Sequence, residues 1–337
     1  MRRGPSFTMV AVAWLAFALA HAQAPPAPPQ LIPGVEPIAP AEIKPEDFIY
    51  VAGTQPDRVG RVMVPVFVNG VGPFAFMVDT GASSSVLAPR VAKRLGLKPE
   101  PTRVKMLRGI TGSELVPTVG VNSITAGEIS LNEIELPLVE PRVFADADGI
   151  FGTDAFARGC LKVDFAAARI TILRTSCPRA DTDWLSTRVQ LRFGGLAVAR
   201  AYIGRVRVAA IIDTGAQHSL GNPALLAALG LEKHAEDPAT RIQVYAATSQ
   251  PVFGNIIATE GIRISGIEIG NLHPVFGDFE VFHLWGVENE PALVVGMDVL
   301  GTTRAMMLDF RRGQLHLLPS DGDKLRLRQY GTPSRIP

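Results

Sequence analysis

The sequence predicts an all-β protein folded as two pseudo-symmetric lobes, and three observations carry that prediction. Short apolar runs rich in Val, Ile and Leu alternate with Gly and Pro, the pattern of strands and turns rather than of long helices. The tetrapeptide Asp79-Thr80-Gly81-Ala82 returns as Asp213-Thr214-Gly215-Ala216. Further landmarks return with it in the same order. A Gly-Leu pair closes a short helix-like run in each half, Gly96-Leu97 and Gly230-Leu231. An apolar pair and Gly-x-Asp follow, Ile150-Phe151-Gly152-Thr153-Asp154 and Val294-Val295-Gly296-Met297-Asp298. Each half then has an Asp-Phe pair (Asp164-Phe165, Asp309-Phe310) and a closing strand (Arg169–Leu173, Gln314–Leu318). A period of roughly 135–145 residues is far longer than a solenoid repeat, so the halves are lobes of an internal duplication.

The 337 residues suffice for two domains with their own cores. A hydrophobic content of 47% and a charged content of 19% fit a soluble globular chain, and a net charge of +1 argues against nucleic acid as the main partner. Residues 1–22 read as a secretory signal: Arg2 and Arg3, an apolar run over 9–20, then Ala20-His21-Ala22 as a small-x-small cleavage pattern. The run falls short of the about 20 residues of a membrane span, and an uncleaved anchor is the competing reading. Export to the periplasm or the medium is expected, with no membrane span after signal cleavage. Residues 23–57, rich in Ala and Pro, read as a linker with an N-terminal strand near Phe48, or as a removable pro-segment.

The first lobe is expected over 58–174. Its opening hairpin, Val62–Val68 with 75–78, delivers Asp79 at the end of an apolar run, as 208–212 delivers Asp213. A carboxylate at the end of a buried strand is costly unless it is paired or does chemistry. Gly two residues later permits a tight turn and close backbone approach. Two such strand ends suggest that the carboxylates meet. Residues 106–112, with two Gly around Ile110-Thr111, read as a hairpin tip. Cys160 and Cys177 flank the hairpin of 161–173; in an oxidising compartment they are placed for a disulfide, the alternative being two unpaired thiols. Residues 175–187 read as the interlobe linker, 188–319 as the second lobe and 320–337 as a basic, solvated tail. The second lobe has 244–248 in place of the first lobe's hairpin tip, without the paired Gly. Its insertion near 277–290 holds Phe279, Phe282 and Trp285, which either pack on the lobe or line a groove.

Asp-Thr-Gly-Ala followed by a hydroxyl residue (Ser85, Ser219), with a later apolar-apolar-Gly motif, resembles the paired signatures of aspartic proteases. The short lobes, with Gly-x-Asp after the second signature, are similar to the retropepsin-like branch of bacteria over most of 58–318. That resemblance implies two acid-protease β-barrel lobes with an active cleft between them. It makes Asp79 and Asp213 the catalytic pair and places Thr80 and Thr214 behind them, exchanging hydrogen bonds across the lobes. Gly81 and Gly215 let substrate backbone approach, and Ala82, Ser83, Ala216 and Gln217 line the floor and mouth. His218 is either a subsite residue or an exposed loop residue. Gly109, Ile110, Thr111 and Gly112 become a flap over substrate.

The chemistry follows from the pair itself. Two carboxyls a few Å apart share a proton; one activates a water and the other polarises the carbonyl, with no metal and no cofactor. Asp154 and Asp298 are expected to cap helices or to accept a buried hydrogen bond, and Asp164 and Asp309 to shape turns. The sequence carries no Gly-x-Ser-x-Gly elbow, no His spacing suited to a metal and no phosphate-binding Gly loop. The function expected is that of an exported, monomeric aspartic endopeptidase acting on peptides or proteins. One rival is an exported protein of this fold that grips peptides without cutting them. The other is a homodimeric protease that pairs lobes between chains.

Overall fold

Strict alternation builds the strand that backs the first aspartate. In Val62–Val68, Val62, Val64, Val66 and Val68 are buried while Pro65 and Phe67 face outward. Its antiparallel neighbour Val71–Val78 turns fully apolar at its end and buries Phe76, Met77 and Val78 just before Asp79. The computed structural model describes 61–100, 102–127, 129–140, 147–248 and 252–320 in full, with the backbone alone for 48–53 and 55–56. The expected leader, most of the 23–57 segment and the tail beyond Ser320 lie outside the described residues.

Each aspartate strand lies in the same local topology. Val71–Val78 pairs in parallel with Gly149–Phe151, which pairs antiparallel with Val86–Leu87. In the second lobe Val206–Ile212 pairs in parallel with Ala292–Val295, which pairs antiparallel with Leu220–Gly221. The apolar pair of the second signature is thus a short buried strand lying beside the aspartate, in both halves. The repeated Gly-Leu pairs have an equally local cause. Helices Pro89–Arg94 and Pro223–Ala228 begin with Pro and end at Gly96 (φ +67°) and Gly230 (φ +68°). The Leu97 and Leu231 N–H groups then donate back to Ala92 and Leu226 at 2.9 and 3.1 Å. This is the left-handed helix stop that glycine makes at low cost.

The lobes are joined by a sheet to which both contribute. The closing hairpins of the two halves meet edge to edge, Cys160–Asp164 against Ala305–Asp309. The strand Phe48–Gly53 extends the first hairpin and Leu185–Arg192 the second. Leu185–Arg192 takes in the last residues of the expected linker before turning into the second lobe as a partner of Leu196–Ile203. The rest of the linker is tied down. Cys177 is disulfide-bonded to Cys160, and its N–H donates to the fully buried Asp309 carboxylate at 2.8 Å. Arg312 donates to the Cys177 carbonyl at 2.9 Å. Asp309 also accepts from the Arg312 N–H, so it shapes its turn and anchors the linker as well, whereas Asp164 caps its own turn through the Ala167 N–H. Among the described residues no helix is long and apolar enough to cross a membrane.

Candidate active site

The sequence delivers Asp79 and Asp213 at matching strand ends, and the fold brings them together. The Asp79 N–H donates to Phe151 and the Asp213 N–H to Val295, at 3.1 and 3.0 Å, so each second-signature strand holds its own aspartate loop. Behind them Thr80 and Thr214, both fully buried, exchange hydrogen bonds: Thr80 N–H to Thr214 Oγ1 at 3.1 Å and Thr214 N–H to Thr80 Oγ1 at 3.0 Å. Each hydroxyl donates in turn to the opposite lobe's strand, Thr80 to Ile212 O and Thr214 to Val78 O, both at 2.8 Å. Four buried interlobe hydrogen bonds, each worth about 0.5–1.5 kcal/mol net, fix the two loops to one another.

The glycines of the tetrapeptides explain how close the carboxyls come. A β-carbon on Gly81 would lie 2.4 Å from Asp213 Cγ, and one on Gly215 would lie 2.3 Å from Asp79 Cγ. Any other residue would collide with the opposite aspartate, so glycine is required here by close approach. The Gly81 and Gly215 N–H groups each donate to their own lobe's aspartate, at 2.7 and 2.8 Å, and Ala216 N–H adds a bond to Asp213 at 3.0 Å.

The two carboxyls are hydrogen-bonded to each other and almost wholly buried. Burial, then the Asp213 charge, pushes Asp79 well above the usual carboxylate range. Burial also raises Asp213, opposed by the Gly215 and Ala216 N–H groups, by the hydrogen bond from Asp79 and by the positive charge of Arg61. The pair therefore titrates as one unit and holds one proton in common.

A second pair of contacts stiffens the chain leaving each aspartate. Ser85 N–H and Oγ donate to the Asp154 carboxylate at 2.9 and 2.8 Å, and Ser219 makes the same two bonds to Asp298. Each serine hydroxyl also accepts from the glycine of the second signature, Gly152 or Gly296, at 3.1 Å. Of the two roles expected for Asp154 and Asp298, the structure shows the hydrogen bond; neither residue is a helix N-cap, and Asp154 is exposed.

The dyad lies in a cleft of about 810 Å³. Ala82, Ser83, Ala216, Gln217 and His218 line it, with Gly109 and Ile110 from the hairpin Val104–Gly109 and Gly112–Ala126. Thr111 does not face the cleft. Its hydroxyl bonds that of Thr248 at 2.5 Å, and both residues are buried, so the hairpin tip of the first lobe rests on the second. Gly112 (φ +143°) returns the chain at that tip. The second lobe answers with its own hairpin, Arg241–Val244 and Val252–Ile256, whose Ile242, Val244, Tyr245, Ala246 and Ala247 line the opposite wall. Phe279 and Phe282 pack into the lobe, but Trp285 stacks on Phe193 at 5.1 Å and both line the cleft. Sequence reasoning did not single out Arg61, Phe193 or Leu284, which also line it. No motif marks them, and their place depends on how the lobes dock.

Two duplicated β lobes presenting paired, proton-sharing carboxyls in a cleft define an acid-protease architecture. The aspartyl protease family model matches this chain twice, over 64–155 and 198–299, and the chain belongs to that family. Its membership supports a peptidase function. No curated protein matches the chain.

Proposed function

We propose that this protein is an exported aspartic endopeptidase that hydrolyses peptide bonds with a water activated between Asp79 and Asp213. The observation that carries this reading is the buried, hydrogen-bonded pair of carboxyls set in a cleft walled by hairpins of both lobes. Asp213, ionised, takes a proton from the water as its oxygen attacks the carbonyl carbon. Asp79, protonated, donates to the carbonyl oxygen, giving a gem-diol. Collapse breaks the C–N bond as Asp213 gives its proton to the amine and a gem-diol hydroxyl returns one to Asp79, releasing acid and amine and leaving the dyad singly protonated. Thr80, Thr214, Gly81 and Gly215 keep the two carboxyls from moving apart during the cycle.

A complete dyad within one chain supports a monomer and supports turnover over mere binding. Export rests on the leader-like 1–22 segment, and the Cys160–Cys177 disulfide suits an oxidising compartment. The test is digestion of a peptide library by purified protein across pH, with Asp79→Asn as control. Cleavage at internal bonds by the parent and none by the variant is the expected result. Tight binding without cleavage would replace the reading with that of a peptide-binding protein.

A further inference from the structure

The cleft is chemically lopsided although the fold that builds it is duplicated. Val62 and Leu196 open equivalent strands, each paired antiparallel with the strand that ends at its lobe's aspartate. Met63 lies opposite Met77 and Val198 opposite Ile211, each two residues before its lobe's aspartate, so Arg61 and Leu196 occupy equivalent positions on opposite sides of the dyad. Each of these corners faces the other lobe. A β-carbon on Gly194 would lie 3.8 Å from the Ser83 side chain, and Arg61 lies near enough to Asp213 for its charge to hold that carboxyl down.

The two sides differ in what they offer a ligand. Leu196, almost wholly buried, is the apolar counterpart of Arg61 in the cleft lining. Phe193, itself held in the left-handed region at φ +53°, stacks on Trp285, and Val281 and Leu284 complete an apolar wall. On the other side Arg61, only 6% exposed, lines the cleft. The remaining cations of the lining are Lys105 and Arg108, and apart from the dyad the described lining holds no Asp or Glu. The Arg fork carries five N–H donors in the geometry of a carboxylate, enough to hold protein partners and a ligand oxygen together.

We propose that Arg61 makes the side of the cleft next to Asp213 a carboxylate-binding subsite, opposite an apolar subsite walled by Phe193 and Trp285. The preferred ligand is then a peptide with a carboxylate on one side of the scissile bond and a bulky apolar side chain on the other. The carboxylate is that of an acidic side chain or of the peptide's C-terminus. This proposal rests on the cleft being a peptide site and assigns its ligand chemistry.

The test uses fluorescein-labelled peptides with a central Phe-Leu in which each flanking position in turn carries Glu, Gln or Lys, made with free and with amidated C-termini. Binding to the non-cleaving Asp79→Asn protein is read by anisotropy, and cleavage is read with the parent. At one position Glu should bind roughly tenfold to a hundredfold tighter than Gln, with Lys weakest. Arg61→Met should bring Glu down to the level of Gln, and Arg61→Lys should keep part of the preference. A preference that instead follows the free C-terminus supports the subsite and names its source. Equal binding of the three series with either terminus, binding of none of them, or a preference that survives Arg61→Met overturns the proposal. Should Arg61→Met fail to fold, the Glu-against-Gln comparison in the unaltered cleft and Arg61→Lys still decide it. Preference without cleavage would instead sink the peptidase reading and keep the subsite.

Discussion

Thr80 and Thr214 each donate a backbone N–H to the other's hydroxyl, at 3.1 and 3.0 Å, and so clasp the two aspartate loops from behind. Thr80→Val keeps the shape and removes the hydroxyl. It leaves the buried Thr214 N–H without its acceptor and the Ile212 carbonyl without this donor. At about 1–3 kcal/mol for each unsatisfied group, the variant should lose roughly 2–6 kcal/mol of stability. Turnover should fall about a hundredfold, because small displacements of a catalytic pair are costly. Thr80→Ser retains the oxygen and should recover most of both. Calorimetry with a fluorogenic peptide assay checks this, and a Val variant that melts like the parent would contradict the clasp.

Thr111 and Thr248 close the cleft from above through one hydroxyl–hydroxyl bond of 2.5 Å. Thr248→Val removes it without changing the side-chain volume. At about 1 kcal/mol for the bond, the tip of the first-lobe hairpin should open roughly fivefold more often. Amide hydrogen exchange over 107–113 should accelerate by that factor while the core strand Val62–Val68 exchanges as before. Unchanged exchange at the tip would show that apolar packing of Ile110 alone holds it.

Much of this architecture was legible because its causes are local and occur twice. Val62–Val68 alternates as a half-buried strand must, and the Asp-Thr-Gly repeats mark the strand ends where a carboxyl is tolerated only with a partner. The Gly-Leu pairs were visible as a repeat, but their meaning as left-handed helix stops needed the backbone. Ser85 and Asp154 were each visible as landmarks, yet nothing in a linear reading joins two residues 69 apart. Arg61 was invisible for a different reason. It is one basic residue before a strand, and its place in the cleft lining depends on how the lobes dock. Trp285 was noticed among the aromatics of an insertion, but whether it packed or lined the cleft depended on Phe193 across the loop.

Titration of the dyad also reaches stability. Burial and the neighbouring charge raise the folded-state pKa of Asp79 above its unfolded value, so the folded protein binds that proton more tightly. The resulting contribution is fully present below the unfolded pKa and is lost as pH rises through the folded one. Asp79→Asn removes the penalty for ionising a buried pair. The variant should melt above the parent at neutral pH, and its advantage should shrink as pH falls toward about 4, where unfolded carboxyls protonate. Melting temperatures of both proteins across that range check the sign. An advantage that grows on acidification would mean that folding does not raise the pKa of Asp79.

Whether one chain makes one complete site is decided by mixing. The clasp, the reciprocal glycine contacts and the shared sheet all join the first lobe to the second within a chain. The short linker, pinned by the Cys160–Cys177 bond, keeps the lobes at high effective concentration. Asp79→Asn and Asp213→Asn should each lower kcat by about a thousandfold or more, because neither carboxyl alone can act as both acid and base. The double variant should be scarcely worse than either single one, since the pair works as a unit. Mixing the two single variants should restore nothing, because each cleft would still lack one carboxylate. A dimer that pairs first lobe with first and second with second behaves otherwise, since each single variant keeps one intact pair and retains activity. A dimer that exchanges first lobe against second rebuilds a complete site on mixing. Peptide turnover by the single variants, alone and mixed, therefore separates the three arrangements, and activity in either variant or its return on mixing would overturn the single-chain dyad.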